Sequence, residues 1–206
     1  MTNYQQAVAQ ALLDIDAVKL QPNDPFTWAS GIKSPIYTDN RKVISFPIAR
    51  KTIIDGLVAL IKEQYPDVEV IGGVATAGIP HAAWVAEKLG LPLIYVRAQP
   101  KDHGTGKQIE GSLQSGQKVV LIDDLISTGG SVLGAVKATR AAGGEVLGVT
   151  AIFSYELPAA TDNFSQAATT FSSLTNFSNL IQVAKDTGEI THDELVMIAD
   201  WHQTLA

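Results

Sequence analysis

Residues 119–131 read VVLIDDLISTGGS. Val119 to Ile122 form a short apolar run bounded by polar residues, the composition of a strand covered on both faces in a parallel sheet. Asp123 and Asp124 stand where that strand is expected to end. Leu125 and Ile126 lead into Ser127, Thr128, Gly129, Gly130 and Ser131, a small hydroxyl-rich turn. Val132, Ala135, Val136 and Thr139 then recur at the i, i+3, i+4, i+7 spacing of a helix lying on one face of the sheet. The order is strand, acidic pair, glycine-hydroxyl loop, helix.

That order has a chemistry. Glycines let backbone N–H groups crowd around an anion, serine and threonine add hydroxyl donors, and the following helix points its positive end at the same place. The two carboxylates can accept hydrogen bonds from vicinal hydroxyls or hold a hydrated Mg²⁺ beside a polyphosphate. A ribose phosphate answers both. A lone glycine-rich loop would be read as an ordinary strand-to-helix turn, but the whole pattern favours a ligand seat. No GKS or GKT sequence occurs, which disfavours a P-loop nucleotide hydrolase. The segment resembles the phosphoribosyl pyrophosphate (PRPP) motif of the type I phosphoribosyltransferases. The resemblance implies that Asp123 through Ser131, Leu125 and Ile126 included, hold PRPP: Asp123 and Asp124 bind ribose hydroxyls, and place Mg²⁺ indirectly through PRPP and water, while the loop takes the 5′-phosphate.

Composition sets the frame. At 206 residues and 46% hydrophobic, the chain is expected to form a single domain over residues 1–206. A formal net charge of −6 argues against a nucleic-acid surface, so an anionic substrate has to be held by local donors. Cysteine is absent, which excludes disulfides and thiol metal sites and is compatible with a cytoplasmic home. The N-terminal segment lacks a basic region followed by an apolar core, and no run of 18 apolar residues occurs, so no membrane association is expected.

Along the chain, Val8, Ala11, Leu12 and Ile15 predict an amphipathic helix over Tyr4 to Asp16. Residues 20–45 are rich in turn formers and aromatics and read as a hood over a site. Phe26, Thr27 and Trp28 are expected to pair with Ile36, Tyr37 and Thr38 in a hairpin around Ser30 and Gly31. Ser45 is read as the cap of a helix that Pro47 opens and that runs to about Tyr65. Strands are predicted over 68–74, 91–96, 119–122 and 145–152, alternating with helices such as Pro80 to Leu89. That alternation implies right-handed βαβ units and a parallel sheet flanked by helices, with its site at the carboxyl edge. The loop ATAGIP, residues 75–80, is placed for a second anion contact. Residues 98–116 have almost no apolar content and read as a lid, with Arg97, Lys101 and His103 as potential partners for a departing pyrophosphate. Residues 155–169 are weakly patterned, TTFSSL is a candidate last strand, and Thr191 with Glu194 forms a capping box ahead of Leu195, Ile198 and Trp201.

Two further phrases, SGIKSPIYTDNR and RAQPKDHG, resemble the hood signature and mobile catalytic loop of the orotate phosphoribosyltransferases, and nearly the whole chain follows that family's order of motifs. The resemblance implies a type I phosphoribosyltransferase-like fold and the Mg²⁺-dependent conversion of orotate and PRPP to orotidine 5′-monophosphate and pyrophosphate, in pyrimidine biosynthesis. It also implies a homodimer in which Arg97, Lys101 and His103 reach the neighbouring subunit's PRPP, with Ser127, Tyr37 and Thr38 at the nucleobase. A purine phosphoribosyltransferase and a PRPP-binding regulator share the central motif and are the alternatives. Ala29, Ala77, Ala98 and Tyr155 stand where some family members carry cationic residues. Arg41 or Lys33 is therefore the expected partner for the orotate carboxylate.

Overall fold

The computed structural model describes residues 2–27, 33–99 and 108–205. In chain order the elements are α1 (Thr2–Asp14), β1 (Val18–Leu20), β2 (Phe26–Thr27), β3 (Lys33–Ser34), β4 (Ile36–Thr38), a 3₁₀ turn (Asn40–Ser45), α2 (Pro47–Gln64), β5 (Val70–Val74), α3 (Gly78–Leu89), β6 (Leu93–Val96), β7 (Ile109–Glu110), β8 (Lys118–Ile126), α4 (Gly130–Ala141), β9 (Glu145–Ser154), α5 (Pro158–Gln166), β10 (Phe171–Asn176), α6 (Phe177–Asp186) and α7 (His192–Gln203). The main sheet runs β10-β9-β8-β5-β6-β7. Its first five strands are parallel, and β7 adds antiparallel to β6.

The sheet is covered on both sides, which is why its central strands read as unbroken apolar runs. Val119, Val120, Leu121 and Ile122 are all fully buried. Period-two alternation splits them between two cores. Val120 and Ile122 join α1, α2, α3 and α6 on one face. Val119 and Leu121 meet Val132, Ala135 and Val136 of α4, with Phe164 of α5, on the other.

The hood pairs differently from expectation. Phe26 and Thr27 pair with Ser34 and Lys33, whereas Ile36 to Thr38 pair antiparallel with β1. Pro35 is the reason. It has no N–H to continue one ladder, its carbonyl accepts from the Gln21 N–H at 2.7 Å, and the chain changes partner there. The switch also buries Ile36 completely. Trp28, Ser30 and Gly31 lie outside the described residues. Ser45 does not cap α2; it ends the 3₁₀ turn, and Phe46 holds the N-cap position ahead of Pro47. No helix among the described residues is long and apolar enough to cross a membrane.

Candidate active site

The strand β8 does not stop before its acidic pair. Its ladder with β5 ends at Ile122, but β9 runs on beside it through Asp123↔Ala151 to Ile126↔Ser154. Asp123 and Asp124 are therefore strand residues that project beyond β5 at the carboxyl edge, gripped from one side only. Alternation directs Asp123 toward the α4 face and Asp124 toward the hood. Asp123 is buried at 7% exposure, and its Oδ1 accepts the Asp124 N–H at 2.9 Å.

The loop that follows is set by one backbone angle. Gly129 has φ 80°, in the left-handed region, and a Cβ there would sit 2.6 Å from the Phe164 ring. Gly129 thus turns the chain into α4, with Gly130 as the first helical residue, so that Ser127, Thr128 and Ser131 stand around a helix N-terminus. Asn163 steadies the loop by donating to the Thr128 carbonyl at 2.9 Å. Across from it, residues 75–77 join β5 to α3, and the Ala75–Thr76 peptide is cis. Gly78 packs so tightly on β8 that a Cβ would run into the Ile122 carbonyl oxygen.

The hood arrives at the same edge. Asn40, 1% exposed, donates its Nδ2 to the Asp124 carbonyl at 2.8 Å. Thr38 is held from the end of β9 by the Tyr155 hydroxyl, which donates to Thr38 Oγ1 at 2.9 Å. Tyr37 is 42% exposed, with its ring 5.6 Å from that of Phe26. Arg41 pairs with Asp39 at 2.6 Å and keeps an exposed side chain. Lys33 Nζ donates to Thr27 Oγ1 at 2.7 Å.

At the root of the lid, the Arg97 N–H donates to the Gln108 carbonyl at 2.8 Å, and Gln108 Nε2 returns a bond to the Arg97 carbonyl at 3.2 Å. The two ends of the loop are thereby held together. Arg97 lies 3.9 Å from Glu110 and lines a cavity of about 370 Å³ with Ala75, Gly130 and Ser131 of its own chain. Lys101 and His103 lie outside the described residues.

Electrostatically, the acidic pair is poised for a partner. Burial first, and then the charge of Asp124, pushes Asp123 up to about 7, and burial also raises Asp124. Burial and a like charge favour the protonated form of such a pair, Arg41 acts the other way on Asp124, and hydroxyl donors or a cation would relieve the pair further. The described residues contain no cluster of three or more His, Asp or Glu able to hold a metal on their own. A cation here would accordingly need oxygens from a bound polyphosphate and water to complete its shell.

A phosphoribosyl transferase domain model matches residues 48–183. The chain is 62% identical over 203 residues to the orotate phosphoribosyltransferase of Lactiplantibacillus plantarum, covering 98% of this chain and 96% of that protein. The chain belongs to the orotate phosphoribosyltransferase family. Among solved structures, the orotate phosphoribosyltransferase of Aeropyrum pernix superposes with a TM-score of 0.77 at 27% identity, covering 89% of this chain and 99% of that one. The Mycobacterium tuberculosis orotate phosphoribosyltransferase in complex with PRPP gives a TM-score of 0.68 at 25% identity, covering 86% and 98%.

Tyr155 is one of the positions where the resemblance leads to the expectation of a cation in some members of the family. Its side chain is spent on Thr38, and burial raises its hydroxyl above the usual range, so it supplies no cation. Asn40, Asn163 and Tyr155 are the contacts that sequence reasoning did not assign. Asn40 lies within the quoted hood phrase, but a lone Asn beside an Arg gives no sign of being buried.

Proposed function

We propose that the chain catalyses the reaction of its family, joining orotate to the ribose 5-phosphate of PRPP with release of pyrophosphate. The supporting observation is the meeting of three parts at one sheet edge: the projecting acidic pair, the Gly129-turned helix N-terminus and the hood tied down through Asn40. In the chemical step a base nitrogen bonds to the anomeric carbon as the carbon–oxygen bond to pyrophosphate breaks. Positive charge builds on the ribose and negative charge on the leaving group, so the protein's work is positioning, exclusion of water and stabilisation of that charge. No covalent nucleophile is required.

In this reading the loop N–H groups and the Ser127, Thr128 and Ser131 hydroxyls hold the 5′-phosphate, with Asp123 and Asp124 on the ribose hydroxyls. Mg²⁺, bound through PRPP and water near the pair, would neutralise pyrophosphate charge. Ser127, Tyr37 and Thr38 face the base, and Arg41, oriented by Asp39, meets its carboxylate, with Lys33 as the other candidate. Lys101 and His103 close over the pyrophosphate, and the polarity of the lid supports their closing over a second protomer's seat. Arg97, which shares a cavity with its own Ser131, roots the lid. Hood and lid are parts of one catalytic domain, and the absence of cysteine suits a reducing cytoplasm. The test is loss of orotate absorbance with PRPP and Mg²⁺, run beside adenine, hypoxanthine and uracil. Orotate alone should be consumed.

A further inference from the structure

We infer that α7 is the anchor of the hood and that Trp201 is a positioning residue for the nucleobase pocket, a proposal that rests on the reading of the hood as the orotate-binding element. The need for an anchor follows from size. The three-pair β1–β4 ladder is held by Val18 and Ile36 in the main core, but the β2–β3 ladder is only two residue pairs long, and a two-stranded ribbon of that length is marginal in water.

The helix α7 has an unusual distribution of contacts. Ile198 is its only buried residue, and Val196 and Met197 face solvent. Its polar contacts, by contrast, go to the hood or to the strand end that carries it. At the N-terminus, Glu194 closes the capping box, with Oε2 accepting the Thr191 N–H at 2.8 Å. The other oxygen of the same carboxylate accepts from Asn23 Nδ2 at 2.8 Å, in the turn leading to β2. Near the C-terminus, Trp201 Nε1 donates to the Lys33 carbonyl of β3 at 2.9 Å. Next to it, His202 is stacked on Phe177 of α6 with ring centroids 4.0 Å apart, and its Nε2 meets the Tyr155 carbonyl. Tyr155 in turn holds Thr38. One helix thus fixes the hood at Asn23, at Lys33 and, through Tyr155, at Thr38. Burial of one side chain does not require those three ties, whereas fixing a short ribbon over a ligand does.

Two substitutions separate anchoring from general stability. Trp201→Phe keeps a six-membered ring against the core but removes the N–H donor together with part of the indole's packing; Asn23→Ala releases the first tie and leaves the capping box whole. Loss of one neutral hydrogen bond corresponds to a change of about two- to tenfold in the equilibrium it supports. Amide exchange over residues 18–27 and 33–38, measured without substrates, should therefore accelerate about that much in Trp201→Phe and further in the double variant, with exchange in β8 and β9 unchanged. The orotate KM should rise by a similar factor while the PRPP KM and kcat stay within about twofold. Unchanged hood exchange in the double variant would overturn the anchor, and equal rises in both KM values would overturn the positioning role. A wild-type protein that ignores orotate would contradict the functional reading alone, and the exchange arm would still decide the anchor.

Discussion

Asn40 donates a 2.8 Å hydrogen bond from its side chain to the backbone carbonyl of Asp124, which ties the exit of the hood to the backbone of the acidic pair. Asn40 is 1% exposed, and its Oδ1 has no hydrogen-bond partner among the described residues. Asn40→Ala removes this tie and opens a small void, with an expected stability cost of about 1–3 kcal/mol. It should also raise the KM for both PRPP and orotate. Urea midpoints together with steady-state kinetics check this, and a variant with wild-type KM values for both substrates would remove Asn40 from the account.

Asp124→Asn preserves shape and removes the charged acceptor proposed for the ribose. Loss of a charge-assisted bond at about 1.5–3 kcal/mol should weaken PRPP use roughly ten- to a hundredfold. Asp123→Asn should do the same and also stabilise the ligand-free protein. Because the folded pair is pushed up, ionising Asp123 costs folding free energy that is absent below the usual carboxylate range and fully present above about pH 7. Melting at pH 8 in a chelator should thus show Asp123→Asn above wild type. A lower Tm would contradict the electrostatic reading.

Gly129→Ala tests the turn. The new Cβ meets Phe164 and the backbone is held at φ 80°, so a cost of about 1–3 kcal/mol is expected, with loss of phosphate binding. Gly116→Ala, also at positive φ but in open space, is the control and should leave PRPP binding intact. Titration calorimetry with PRPP distinguishes the two, and equal affinities would show that the Gly129 turn does not shape the seat.

His81, fully buried in the first turn of α3, has neither ring nitrogen hydrogen-bonded among the described residues. Burial lowers it to about 4 from 6.5. A depressed folded pKa contributes stability that is present above 6.5 and lost as pH falls toward 4, about 2 kcal/mol of it by pH 5. His81→Leu should flatten urea midpoints between pH 7 and pH 5, whereas a slope equal to wild type would assign the acid sensitivity to other groups.

Much of this site is legible in residues 119–131, because buried strands and phosphate loops leave dense local patterns. The parallel sheet around β8 and the Thr191–Glu194 capping box follow from such patterns, and the structure contains both. The hood pairing does not. Pro35 changes the strand's partner, and a hairpin read from composition cannot show which of two nearby strands wins. The helix α5 is mostly polar and buries only Ala160 and Phe164, too few to mark a period. Phe177, Leu180, Ile181 and Ala184 do carry the i, i+3, i+4, i+7 spacing of α6, a signal the sequence reading did not include. Ties such as Asn40 to Asp124 join residues 84 apart in the chain, and single-sequence patterns carry no record of them.

The shared-site reading predicts complementation. Assayed at limiting PRPP, Lys101→Ala and Asp124→Asn should each be strongly impaired alone. Random pairing makes half the dimers hybrids, each with one doubly defective and one intact site, so a mixture should recover roughly a quarter of wild-type activity. No recovery, with subunit exchange confirmed by mass, would place the lid over its own chain.

The most direct test of the central claim is to measure orotate lost and pyrophosphate released in one reaction with PRPP and Mg²⁺, for the wild type and for Asp124→Asn. The account predicts equal amounts of the two for the wild type, none of either without orotate, and a rate lowered at least about tenfold at limiting PRPP for Asp124→Asn. Pyrophosphate release without loss of orotate, or an Asp124→Asn enzyme as fast as wild type, would contradict it.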